Sequence, residues 1–247
     1  MDIVDLQSFY SRPLGQAACK LITRTIGECW PDLTGYSMLG IGFATPYLEP
    51  FKDECLTSMA FMPAQQGVMR WPQSEKNAVA LTEEALFPLA DSSIDRILIV
   101  HGLEMSHSPR EYLREVWRVL KPDGRAIFVV PNRSGIWARV DKTPFGHGRP
   151  FSQPQMLELL KSNMFLPISW SGALYIPPTK RDFILKSANA FEKFGRWARA
   201  GLGGVTIIQA TKQVYAWPPG KMLRKQKLQE AMMNRRECGS HYRQLDD

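Results

Sequence analysis

The run Tyr36-Ser-Met-Leu-Gly-Ile-Gly-Phe-Ala-Thr45 carries apolar residues into two glycines spaced one apart, and Pro46 beyond it permits a helix to start. A strand that empties into a Gly-x-Gly turn brings bare backbone N–H groups to a sheet edge, where no Cβ keeps a ligand away. A tight strand-to-helix turn without a ligand has the same pattern, so the neighbouring segments must decide. Upstream, Leu14, Ala18, Leu21, Ile22 and Ile26 recur at helical spacing within Ser8 to Trp30. Pro31-Asp32 ends that helix, and Phe9 and Tyr10 at its front are expected to pack on the core rather than cap a pocket.

Downstream, a short helix is expected over Tyr47 to Lys52, and strands over Leu56 to Met62, Asn77 to Leu81 and Ile94 to Val100. The last is apolar almost throughout, as a strand covered on both faces should be. Pro109 to Leu120 carries Tyr112, Leu113, Val116, Trp117 and Leu120 on one helical stripe, Lys121-Pro-Asp-Gly124 turns, and Arg125 to Val130 forms a fifth strand. Strands alternating with helices imply a parallel sheet covered on both sides, with ligands beyond the carboxyl ends of strands where their order reverses. Past Pro131 the pattern predicts a long loop over Asn132 to Pro150, a helix over Gln153 to Asn163 and a strand over Leu166 to Ile176. An amphipathic helix over Arg181 to Ala200 and a strand over Gly203 to Ala216 follow.

The chain has 247 residues, 44% of them hydrophobic and 11% aromatic, ample for one buried core with appendages. Its formal net charge of +7 permits contact with nucleic acid, anionic lipid or acidic protein without requiring any of them. Cys19, Cys29, Cys55 and Cys238 form no C-x-x-C and have no His at ligand spacing. They read as reduced thiols, with no structural zinc. No apolar run reaches membrane-spanning length and the start is acidic, so a cytoplasmic protein is expected. The tail from Lys221 holds seven basic residues but only Tyr242 as an aromatic, which argues against stacking on bases and leaves a solvated helical extension or a protein partner.

Four collinear segments resemble class I S-adenosylmethionine-dependent methyltransferases of the type 11 branch. Leu39-Gly-Ile-Gly-Phe-Ala44 resembles their glycine motif, and Ala85-Leu-Phe-Pro-Leu-Ala-Asp-Ser-Ser-Ile-Asp95 the approach to their fourth strand. His101-Gly-Leu-Glu104 is similar to the segment after that strand, and Glu111-Tyr-Leu-Arg-Glu-Val-Trp-Arg-Val-Leu-Lys-Pro-Asp-Gly-Arg125 to the block before the fifth. The resemblance implies a Rossmann-like α/β fold, with a mostly parallel seven-stranded sheet and helices on both faces. It divides the chain into an N-terminal helical segment (1–35), an α/β domain (36–217) and a basic helical tail (218–247).

The resemblance also implies S-adenosylmethionine as cofactor and places its contacts at Gly40, Gly42, Phe43, Ala44 and Met62. Glu83 takes the position that reads the adenine amino group, with Glu84 beside it. His101 faces the sulfonium, or serves equally well as a backbone-bonded histidine at a strand end. Two family acids are replaced, one by Met38 and one by Met62. A charge-assisted hydrogen bond is worth roughly 1.5–3 kcal/mol, so each loss weakens binding by about ten- to a hundred-fold. Gln65 and Gln66 stand near enough in sequence to reach the ribose, and Trp71 to cover the adenine.

Methyl transfer needs a nucleophile held in line with the methyl group in a dry site, and a base when the acceptor is a hydroxyl or amine. The base candidates are His101, His107 and His147, and Arg133, Trp137, His147 and Arg149 are expected to line the acceptor. The absence of an Asn-Pro-Pro-Tyr-type motif argues against nucleic-acid acceptors and for a small molecule. Two functions compete: methyl transfer to that molecule, and a catalytically silent methyltransferase-fold protein that binds or regulates a partner. A nicotinamide dehydrogenase is set aside, because Thr45 stands where a third glycine is needed.

Overall fold

The computed structural model describes residues 1–74, 76–179, 192 and 203–214. Met1–Lys212 form one unit, and the second, Gln213–Asp247, lies almost wholly outside the described residues. So do the expected helix over 181–200, apart from residue 192, and the expected tail helix.

Two helices open the chain where one was expected. Helix α1 (Ile3–Tyr10) is capped by Asp2, whose carboxylate accepts from the Asp5 N–H at 2.9 Å. Helix α2 (Pro13–Cys29) begins anew because Pro13 has no N–H to extend the first and holds Arg12 extended. Strand β1 (Ser37–Gly42) leads into a single helical turn, α3 (Thr45–Leu48), shorter than the segment expected over Tyr47 to Lys52. Then come β2 (Thr57–Pro63), β3 (Val79–Thr82), β4 (Ile94–Val100), α4 (Pro109–Val119), β5 (Leu120–Pro131), α5 (Gln153–Ser162), β6 (Phe165–Ala173) and β7 (Val205–Lys212). Ser152 and Gln155 form a reciprocal capping box at the start of α5.

Strand β5 starts five residues earlier than the sequence suggests. Leu120 already pairs with Ile94, the register slips through the Lys121–Gly124 segment, and pairing resumes at Arg96 with Arg125. Asp95 anchors the slip by accepting from Lys121 Nζ at 2.8 Å and from the Ser37 hydroxyl at 2.6 Å.

The seven strands follow the order β3-β2-β1-β4-β5-β7-β6. The pairs β3–β2, β2–β1, β1–β4 and β4–β5 are parallel, and β7 runs antiparallel to both β5 and β6. The expected mostly parallel seven-stranded sheet is therefore present. Alternation along each strand divides the core in two. Met38, Ala60, Leu98, Ile127 and Ile207 face α1, α2 and α3, in a cluster with Leu6, Ile22 and Ile26. Leu39, Ile41, Ile97, Ile99 and Phe128 face α4 and α5, in a cluster with Leu113, Val116 and Leu160. Helices α1 and α2 thus share one apolar core with the sheet. Strand order reverses between β1 and β4, which puts the crevice at Gly42 and His101.

Candidate functional site

Both motif glycines are held against the chain itself. Gly42 lies at φ 81°, and a Cβ there would meet the Val100 carbonyl oxygen at 2.3 Å. A Cβ on Gly40 would meet Leu48 at 2.6 Å and Ala44 at 2.8 Å. Phe43 donates its N–H to the Val100 oxygen at 2.8 Å, which pins the turn onto the end of β4. Gly40 through Thr45 are all buried.

Helix α1 closes the crevice. The Tyr10 ring stacks on Phe43 at 5.4 Å and 26°, and its hydroxyl lies 2.7 Å from His101 Nε2 and 2.6 Å from the Tyr47 hydroxyl. His101 Nδ1 lies 3.2 Å from Glu104 Oε1. A carboxylate only accepts, so Nδ1 carries the proton, Nε2 accepts from Tyr10, and Tyr10 accepts from Tyr47. Glu104 (2% exposed), His101 (3%), Tyr10 (8%) and Tyr47 (0%) make this a dry relay. Burial pushes the pKa of both phenols well above the ordinary tyrosine value, so both stay protonated.

His101 itself sits at φ 52°, a backbone state worth explaining in a non-glycine residue. Three contacts hold it there. Gln66 donates its side-chain amide to the His101 carbonyl, Glu104 holds Nδ1, and Phe145 packs on the ring at 4.9 Å between centroids. Gln66 in turn accepts from the Ile3 N–H at 2.7 Å, tying the start of α1 to the segment after β2.

The other expected site residues fall in different places. Met62 is fully buried, with its sulfur 3.4 Å from the Met69 N–H, and Met38 is buried in the core below the turn. Glu83 is exposed and bridges to Leu86. Glu84 accepts from the Ser106 hydroxyl at 2.9 Å and the His107 N–H at 3.1 Å, bracing the loop after β4. Gln65 is exposed, while Trp71 is buried with its indole N–H donated to Glu49. His107 is exposed, and His147 Nε2 bonds the Asp141 carbonyl at 2.7 Å. Trp137 does not line an open slot: it is buried, donates to the Ile176 carbonyl at 2.7 Å and stands edge-on to Phe145. Arg133 and Arg149 are exposed on a separate groove near α5. His101 is thus the only base candidate of the three that reaches the crevice.

S-adenosylmethionine, which the resemblance implies as cofactor, enters this crevice only once it opens. The turn that would cradle it is buried, its two family carboxylates are thioethers, and Tyr10 lies against Phe43 and His101 where the ligand would enter. Sequence reasoning named His101, Gln66 and Tyr10 but not their meeting. Only the His101-x-x-Glu104 spacing, which brings the two side chains together, was visible along the chain.

Residues 39–128 match the family model described as "Methyltransferase domain". No curated protein sequence matches the chain. Among solved structures, it is similar to a SAM-dependent methyltransferase of Thermotoga maritima, titled a possible histamine N-methyltransferase. That likeness has 17% identity and TM-score 0.58 over 84% of this chain and 94% of that one. It is also similar to the Burkholderia thailandensis 1,6-didemethyltoxoflavin-N1-methyltransferase with bound 1,6-didemethyltoxoflavin and S-adenosylhomocysteine. Here identity is 16% and TM-score 0.50 over 81% and 78% of the two chains. A third likeness is to the complex between the Haloferax volcanii Trm112 methyltransferase activator and a methyltransferase, at 11% identity and TM-score 0.55 over 86% and 93%. With that family match across β1 to β5, and a reversed β7 between β5 and β6, the chain has the class I S-adenosylmethionine-dependent methyltransferase fold.

Proposed function

We propose that the chain is an S-adenosylmethionine-dependent methyltransferase acting on a small molecule, with His101 as its general base. The observation that carries this reading is the buried Glu104–His101 pair at the carboxyl end of β4, across from the glycine turn. Glu104 fixes the tautomer that leaves Nε2 free to take a proton from an acceptor hydroxyl or amine, and it stabilises the imidazolium that results. Tyr10 now occupies that lone pair, so acceptor and cofactor both require α1 to move aside. Relatives of this fold that bind small molecules support the substrate class. The free thiols Cys19, Cys29 and Cys55 agree with a cytoplasmic setting, and no helix among the described residues is long and apolar enough to cross a membrane.

A second reading, a silent fold that serves a protein partner through its basic tail, is favoured by the buried turn and by Met38 and Met62. Calorimetric titration of the full chain with S-adenosylmethionine separates the two. Saturable heat supports the enzyme. No heat at millimolar cofactor, from protein shown to be folded, leaves the silent reading.

A further inference from the structure

The groove that carries Arg133 and Arg149 lies outside the closed crevice and has its own chemistry. It encloses about 920 Å³ and is bordered by the start of α4, the segment after β5 and the outer face of α5. That volume is within the range of small-molecule sites. Three arginines from three separate segments reach it: Arg110, Arg133 and Arg149. Backbone bonds hold them together. Arg133 donates its N–H to the Phe151 carbonyl at 3.2 Å and Asn132 bridges to Phe151, so the chain after β5 runs beside the strap that carries Arg149. Arg149 donates its N–H to the Glu104 carbonyl at 2.8 Å, which ties the strap to the loop before α4.

The groove is lined by three arginines against two carboxylates, Glu111 and Glu158, which leaves it positive. Other arginines differ among themselves: Arg118 pairs with Asp91 at 2.7 Å and Glu115 at 2.9 Å and Arg24 with Glu28 at 3.4 Å, whereas Arg114 and Arg139 make no ion pair among the described residues. Among the described residues, none of the three guanidinium groups in the groove makes an ion pair or side-chain hydrogen bond, although Glu111 and Glu158 border the same space. Bringing like charges together costs free energy that a bound anion would recover. Three guanidinium groups on separate segments suit the several oxygens of a phosphate better than a single planar carboxylate, and Phe151 and Leu159 offer an apolar wall for the rest of a ligand.

We infer that this groove is a binding site for a phosphorylated small molecule, held through its phosphate by Arg110, Arg133 and Arg149. The site goes beyond the methyl-transfer reading and stands whether or not that reading holds, because it lies apart from the glycine turn. The test is calorimetry of the full chain with inorganic pyrophosphate, without cofactor. Saturable binding is expected that weakens as salt rises. Arg133→Ala or Arg149→Ala should each weaken it roughly ten- to a hundred-fold, while Arg24→Ala on α2 leaves it unchanged. The arginines are exposed, so the variants keep the fold, which their melting temperatures check. No saturation at millimolar pyrophosphate, equal binding by the variants, or citrate binding as tightly as pyrophosphate would each overturn the assignment. Capture of phosphatidic acid vesicles without binding of soluble pyrophosphate would overturn it as well.

Discussion

Replacing Tyr10 by Phe isolates the closure of the crevice. The substitution keeps the ring on Phe43 at its 5.4 Å stacking distance and removes only the hydroxyl between His101 Nε2 and the Tyr47 hydroxyl. Two hydrogen bonds disappear, and one buried acceptor on His101 is left without its donor. Each net bond is worth about 0.5–1.5 kcal/mol, and an orphaned buried group costs about 1–3 kcal/mol. When α1 lifts, water satisfies those groups, so the penalty falls on the closed state alone. The closed-to-open balance should shift by about 1–3 kcal/mol toward open. A ligand that binds only the open state has an apparent dissociation constant divided by the open fraction. Tyr10→Phe should therefore tighten S-adenosylmethionine binding by roughly five- to a hundred-fold, read by calorimetry against wild type. Amide exchange in α1 should quicken in step. Unchanged affinity together with unchanged α1 protection would show that the Tyr10 hydroxyl does not hold the crevice closed, and weaker binding would mean that the phenol belongs to the binding surface.

Gly42→Ala should destabilise the whole fold by about 3 kcal/mol or more, since a Cβ there collides with the Val100 carbonyl oxygen and the φ of 81° is strained for alanine. Urea denaturation reads this loss, and a variant within about 0.5 kcal/mol of wild type would show that β1 and β4 can part at no cost. Asp95 gives a pH-dependent case. Burial raises its pKa, but the Lys121 ammonium and Ser37 outweigh this and leave it below the ordinary carboxylate value. A depressed carboxylate contributes stability above its unfolded value and loses it as pH falls through the folded one. Asp95→Asn should cost about 1 kcal/mol at pH 7, and the gap to wild type should close below about pH 4. A gap that persists in acid would assign the effect to packing.

Much of the sheet could be read along the chain because its signals are local. The apolar run from Ile97 to Val100 reads as a strand covered on both faces, and β4 contains it. The stripe from Tyr112 to Val116 gave α4 to within one residue of its end. The break at Pro13 is equally local but is hidden by apolar spacing that continues across it, so one helix was expected where two form. Trp137 shows the limit from the other side. A tryptophan in a glycine-rich loop reads as a surface for a flat ligand until Gly204, far along the chain, and Phe145 of the same loop are found to bury it.

Neighbouring residues alone dictate that two glycines end a core strand and that helices alternate with strands around it, because backbone geometry and apolar spacing are local properties. The pairing of His101 with Glu104, three residues apart, is local in the same way. Folding brings Tyr10 from 91 residues away to cover His101, and sets three arginines from separate segments along one groove. Those outcomes depend on how α1 packs and on which loops the sheet brings side by side, and no local pattern encodes a contact whose partners meet only after the chain has folded.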